Sequence, residues 1–196
     1  MTPSRPEIPG PFPAMLDLSK NYFELFGLPV TYVIDGDSLR DRYRELQRAL
    51  HPDRFASASQ QEQRISLQAS TRVNGAFETL KDPLRRAEYL LGLHGVDLGS
   101  GEETTQDAEF LMEQIELREE LAAISTVPGP LEAVQDFMSR IGERMRSMIG
   151  QMAVDFETPN RERLAEIRDM VRKIQFFNRL LTEAEAVEAG LEDSFH

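Results

Sequence analysis

From about residue 20 onward, apolar residues recur every three or four positions and never alternate with polar ones over the length of a strand. A chain patterned this way buries its hydrophobic surface by packing helices on one another, so the expected fold class is all-α. Turn residues divide the pattern into seven segments. Tyr22–Phe26 is a short helix ended near Gly27, with Pro29 beyond it. A second helix, capped by Asp37 or Ser38, runs to Leu50 and is stopped by Pro52. A third runs from about Ser59 to Leu80, with Ile65, Ala69, Val73, Ala76, Phe77 and Leu80 on one face. Asp82-Pro83, a cap followed by a first-turn proline, opens a fourth that reaches His94. Three more are expected over about Gln106–Ser125, Pro130–Phe156 and Pro159–Ala189.

Residues 1–19 stand apart. They hold five of the eleven prolines (Pro3, Pro6, Pro9, Pro11 and Pro13), a density that opposes helix and strand alike, and they read as a flexible leader. Charge divides the rest of the chain. Residues 20–90 carry 11 basic and 10 acidic groups, whereas residues 91–196 carry 10 basic and 22 acidic. The glycines and polar residues of 91–105 read as a linker between two modules, 20–90 and 106–196, whose opposite character implies two different partners.

Composition narrows the chemistry. The chain has no Cys, which excludes disulfides, thiolate nucleophiles and thiolate metal sites. Its three His leave little for acid–base or metal work, and neither a metal site nor a cofactor is expected. A net charge of −12 argues against broad binding to nucleic acid or to anionic membranes. No apolar run reaches the ~18 residues of a transmembrane helix and no signal-peptide pattern opens the chain, so a cytoplasmic location is expected. These features favour a binding protein over an enzyme. His94 reads as a helix-terminal residue ahead of Gly95, and Met145, Met148 and Met152 as packing residues.

In the second helix an ideal turn of 100° per residue gathers Leu39, Tyr43, Leu46 and Leu50 within about 60°, the core stripe. Arg40, Arg44 and Arg48 form a separate row. Like charges four residues apart cost a few tenths of a kcal/mol, so helix stability does not account for the row. It is either a solvated face or a docking face. The tripeptide His51-Pro52-Asp53 comes immediately after it. A basic amphipathic helix, His-Pro-Asp, then a long helix resembles the J-domain. The likeness extends to Tyr22-Phe-Glu-Leu-Phe-Gly-Leu and to Val73-Asn-Gly-Ala-Phe-Glu-Thr-Leu-Lys-Asp-Pro-Leu-Arg-Arg-Ala-Glu-Tyr, and so covers roughly residues 20–90. J-domains bind heat-shock ATPase chaperones and stimulate ATP hydrolysis. The resemblance implies that His51, Pro52 and Asp53 form the activating loop and that Arg40, Arg44 and Arg48 steer docking. Proline fixes the loop's φ, Asp53 can pair with an Arg, and His51 offers a donor and an acceptor. None of the three breaks a bond, so the chain would modulate an enzyme without being one.

The helix from about Gln106 is apolar on two sides. With Phe110 at 0°, Leu117, Leu121 and Ile124 fall between about −40° and +20°, while Leu111, Met112 and Ile115 fall between about 100° and 200°, beside Glu116 and Glu119. By periodicity the second strip either contacts another helix of the bundle or stays open to a partner. Arg86-Ala-Glu-Tyr-Leu-Leu-Gly-Leu-His-Gly-Val-Asp-Leu, Phe110-Leu-Met-Glu-Gln-Ile-Glu-Leu-Arg-Glu-Glu-Leu and Val171-Arg-Lys-Ile-Gln-Phe-Phe-Asn-Arg-Leu resemble the HscB family, J-domain co-chaperones of iron–sulfur cluster assembly. That family's C-terminal three-helix bundle binds the scaffold protein IscU and delivers it to the chaperone HscA. The resemblance implies a scaffold-binding surface of Leu111, Met112, Ile115, Glu116, Glu119 and Phe176. Three other readings stand beside it. One is a J-protein serving a different client through a DnaK-type chaperone. Another is a helical adaptor whose His-Pro-Asp is only a capped turn. The third, a hydrolase using His51 and Asp53, lacks a nucleophile.

Overall fold

The computed structural model describes residues 19–99 and 108–194. The helices are α1 (Tyr22–Leu25), α2 (Gly36–Ala49), α3 (Gln60–Lys81), α4 (Pro83–Leu93), α5 (Ala108–Ala123), α6 (Pro130–Asp155) and α7 (Arg161–Ser194). Short 3-10 turns occupy Pro52–Phe55 and Ile124–Thr126, and no strand occurs among the described residues. The chain divides into two compact units, Met1–Arg86 and Ala87–His196, and the division falls inside α4. Gln106, where the fifth helix was expected to begin, and the leader's residues 1–18 lie outside the described residues.

In the first unit α1, α2 and the Pro52–Phe55 turn all pack on α3. Local chemistry starts each helix. Asn21 and Glu24 form a capping box on α1, with Glu24 N–H donating to Asn21 Oδ1 over 2.9 Å and Asn21 N–H to Glu24 Oε2 over 3.1 Å. Ser59 and Glu62 do the same for α3, and the bonds from Ser59 hold the Glu62 carboxyl below its usual pKa. The cap of α2 is Asp35, two residues before the position that composition suggests. Gly36 takes the first helical place, so Asp35 is the extended residue whose carboxylate receives Asp37 N–H at 3.0 Å and Ser38 Oγ–H at 2.6 Å. Ser38 therefore supports the cap and does not supply it.

Of the α2 stripe, Leu39 and Leu50 are buried while Tyr43 and Leu46 are half-buried. Tyr43 stacks on Phe77 with ring centroids 4.0 Å apart and donates to Asn74 Oδ1 over 3.1 Å, fixing α2 to α3. On α3, Ala69, Val73, Ala76 and Leu80 are buried as their spacing predicts, but Ile65 is 37% exposed. The stripe continues N-terminally through Ser66, and Ile65 lies about 100° around the helix from it.

Gly75 sits in the middle of α3, and a Cβ built on it meets nothing within 4 Å. Glycine inside a helix costs about 1 kcal/mol relative to alanine, and no neighbour requires its absence of a side chain. Gly75→Ala is expected to stabilise the chain by about that amount, which thermal unfolding should register as a Tm higher by several degrees.

Asp82 caps α4 through a 2.9 Å bond from Arg85 N–H, with Pro83 in the first turn. The helix closes where Gly95 adopts φ +74°. There Val96 N–H reaches Leu91 O and Gly95 N–H reaches Gly92 O, a Schellman ending with exposed His94 at the cap.

In the second unit Phe110, Leu117, Leu121 and Ile124 join Val134, Phe137 and Ile141 of α6 and Phe177, Leu180 and Ala184 of α7 in one core. Met152 is buried, and Met145 and Met148 pack against that core. Asn160 caps α7, its Oδ1 receiving Arg163 N–H at 2.9 Å. The helix runs past the expected end at Ala189 because Val187 and Leu191 still pack against the core.

Candidate functional site

The tripeptide in the first unit lies between two buried anchors, Leu50 and Phe55. Ser66 Oγ donates to Leu50 O over 3.1 Å, and Gln63 Nε2 donates to Phe55 O over 3.2 Å, so α3 holds both ends of the loop. Between them Arg54 N–H donates to His51 O at 3.0 Å, closing the 3-10 turn that Pro52 opens. His51 Nδ1 accepts from Asp53 N–H at 3.3 Å and lies 3.5 Å from Asp53 Oδ2. That bond assigns the proton of the neutral ring to Nε2. The His51 side chain is 59% exposed and that of Asp53 89%. The loop is thus a held platform that turns an N–H donor and a carboxylate outward.

Arg40, Arg44 and Arg48 are all exposed on α2. Arg40 pairs with Asp37 and Arg44 with Asp41, each three residues back along the helix. These acids relieve the repulsion within the row. At such exposure each pair contributes at most about 1 kcal/mol, and both guanidinium groups stay available.

The sequence pattern alone does not single out Ser66 and Gln63. A signal existed for Ser66: a hydroxyl on the same stripe as Ala69, Val73 and Leu80 needs an acceptor once buried. Gln63 had none, because its amide is defined only by the loop it meets.

In the second unit α5 has the two faces that its pattern predicts. Phe110, Leu117 and Leu121 are buried. Opposite them Met112 is 57% and Ile115 51% exposed, with Glu116 and Glu119 exposed beside them. Leu111 is half-buried at the edge of this strip. Glu113 and Glu120 turn the other way and pair with Arg144 and Arg140 of α6. Phe176 does not join the exposed strip. It is 3% exposed, packed edge-on against Phe110 with centroids 5.6 Å apart and roofed by Arg118. Neighbouring Phe177 is also buried, so α7 turns both rings inward against α5, a packing that spacing along one helix does not reveal.

Among the described residues no group of carboxylates and His is placed to hold a metal ion, and no helix is long and apolar enough to cross a membrane.

A family model described as the HscB C-terminal oligomerisation domain matches residues 106–185. The chain is 42% identical over 171 residues to a co-chaperone protein HscB homolog of Shewanella woodyi, covering 87% of this chain and 98% of that one. The homolog of Shewanella loihica is likewise 42% identical over 171 residues, with 87% and 99% covered. Among solved structures, chaperone HscB from Vibrio cholerae is 39% identical with a TM-score of 0.76, over 88% of this chain and 99% of that one. The human co-chaperone HscB is 29% identical with a TM-score of 0.78, over 88% and 84%. The Shewanella and human relatives are named as co-chaperones and not as enzymes. An all-α fold, with a J-domain ahead of a helical bundle, and close identity along nearly the whole length of its relatives together mean that the chain belongs to the HscB family of co-chaperones.

Proposed function

We propose that the chain acts in iron–sulfur cluster biogenesis, binding an IscU-type scaffold through its C-terminal bundle and stimulating the ATPase of an HscA-type chaperone through its J-domain. In this reading residues 20–90 form the J-domain, 91–105 the linker and 106–196 the scaffold-binding bundle, and the chain works in the cytoplasm. The observation that carries the chaperone half is the loop held at Leu50 and Phe55 with His51 and Asp53 facing solvent. Buried anchors and an outward polar pair make a surface built to meet another protein. Asp53 suits a partner guanidinium and His51 Nε2–H suits an acceptor. Neither acts on a substrate of its own.

The α2 row enters as a steering surface for an acidic patch on the ATPase. Screening lengths shrink from about 30 Å at 0.01 M salt to about 3 Å at 1 M. ATPase stimulation is therefore expected to weaken as salt rises. Charge reversal at two of Arg40, Arg44 and Arg48 should lower the association rate more than it raises dissociation. Stopped-flow binding at two salt concentrations checks this, and a salt-independent association rate counts against the row.

The scaffold half rests on the exposed Met112 and Ile115 with Glu116 and Glu119 at their rim. An apolar anchor inside a charged border has the make-up of a binding hot spot. Calorimetric titration of apo IscU-type scaffold into the full chain tests it. Saturable binding that is lost on Met112→Ala with Ile115→Ala is the expected result.

A further inference from the structure

An ideal helix turns 100° per residue, which orders the outer face of α5 from edge to edge. Measured from Phe110, Arg118 falls at about 80°, Leu111 at about 100°, Ile115 at about 140°, Glu119 at about 180°, Met112 at about 200° and Glu116 at about 240°. The strip therefore has unlike edges, the Arg118 guanidinium on the side that faces α7 and the Glu116 carboxylate on the other, with Glu119 between Ile115 and Met112. Arg118 also differs from the arginines of α2 in having no acid to pair with along its own helix. The residues three and four positions from it are Gln114, Ile115, Leu121 and Ala122. Its exposed guanidinium lies 5.6 Å over the ring of Phe176. The place on the surface that Phe176 would fill if it pointed outward is thus covered by Arg118.

We propose that Arg118 is a specificity-determining residue of the α5 surface, and that the partner meets it with a carboxylate set beside the apolar patch that covers Met112 and Ile115. The proposal rests on the reading of this strip as the scaffold site. A guanidinium held over an aromatic ring is partly pre-ordered and offers a carboxylate two parallel donors. Across the strip, Glu116 at the far edge calls for a basic group on the partner. Two edges of opposite sign fix which way round the partner sits, because the reversed pose sets acid against acid and base against base.

The test is calorimetric titration of apo IscU-type scaffold into the full chain and into Arg118→Glu, Arg118→Leu and Ile115→Glu, each with its Tm measured. Arg118→Glu is expected to raise Kd about tenfold or more, and Arg118→Leu about threefold or more with a shallower salt dependence. Arg118→Leu keeps an apolar cover on Phe176, so it isolates the charge, and it decides alone if Arg118→Glu lowers Tm. Wild-type Kd and salt dependence in Arg118→Leu, beside weakened binding by Ile115→Glu, overturn the role of Arg118 and leave the strip in place. Unchanged binding by Ile115→Glu overturns both.

Discussion

Asp53→Asn is expected to abolish stimulation of an HscA-type ATPase while leaving Tm almost unchanged. The Asp53 side chain is 89% exposed, and the hydrogen bond at this position comes from its backbone N–H, which the substitution keeps. What changes is a single outward charge, the one suited to a partner Arg. Exposed substitutions of this kind usually fall within about 0.5 kcal/mol. His51→Gln should act the same way on ATPase stimulation. It also removes the long 3.3 Å acceptance from Asp53 N–H, at a cost of about 0.5–1.5 kcal/mol. Steady-state ATP hydrolysis at matched concentrations, with thermal melts alongside, reads both quantities. Full stimulation by either variant means that the loop is not the activating surface.

On α5 the expected result is an exchange between two faces of one helix. Leu117→Ala or Leu121→Ala takes a buried side chain from the core that α5 shares with α6 and α7, at a cost of about 2–5 kcal/mol in lost burial and a cavity. Met112→Ala combined with Ile115→Ala removes side chains that are more than half exposed, so the melt should barely move while scaffold affinity falls. Adding Leu111→Ala should bring a modest loss of stability, since Leu111 is half-buried. Phe176→Ala belongs with the first group. Its ring lies in the Phe110–Phe177 cluster, and truncation should cost about 3–5 kcal/mol. Denaturant unfolding and scaffold titration on the same set of variants separate the two effects. A double exposed-face variant that unfolds makes the strip ordinary core.

Much of this arrangement is written locally in the chain, and the parts that are not share a cause. Caps such as Ser59 and Asp82, and the proline stops, act within three or four residues, so they can be read from the sequence alone. The opposed faces of α5 come from the 100° turn, and the structure buries Phe110, Leu117 and Leu121 on one side as that turn requires. The α2 cap at Asp35 reflects a local competition, because Gly36 enters the helix and moves the cap back. Ile65 and Phe176 differ from the expectation for another reason. Each adjoins the buried stripe of its helix, and which neighbour turns inward is decided by the opposite surface: Leu50 meeting Ser66 in one case, Phe110 meeting Phe176 in the other. The partners of the loop, Ser66 and Gln63, are likewise 8 to 16 residues away from what they hold. Periodicity gives a helix its faces, while contacts across helices choose the residues at their borders.

Under the proposed function one chain carries both partners, with the ATPase at His51–Asp53 and the scaffold at Met112 and Ile115. Joining two binding surfaces raises the effective concentration of one partner at the other. The most direct measurement is ATP hydrolysis by an HscA-type chaperone with the chain alone, with apo IscU-type scaffold alone and with both. The rate with both is expected to exceed the sum of the two separate stimulations, and to fall to additivity when Met112→Ala and Ile115→Ala are introduced. A rate that the chain leaves unchanged, with or without scaffold, contradicts the proposed function.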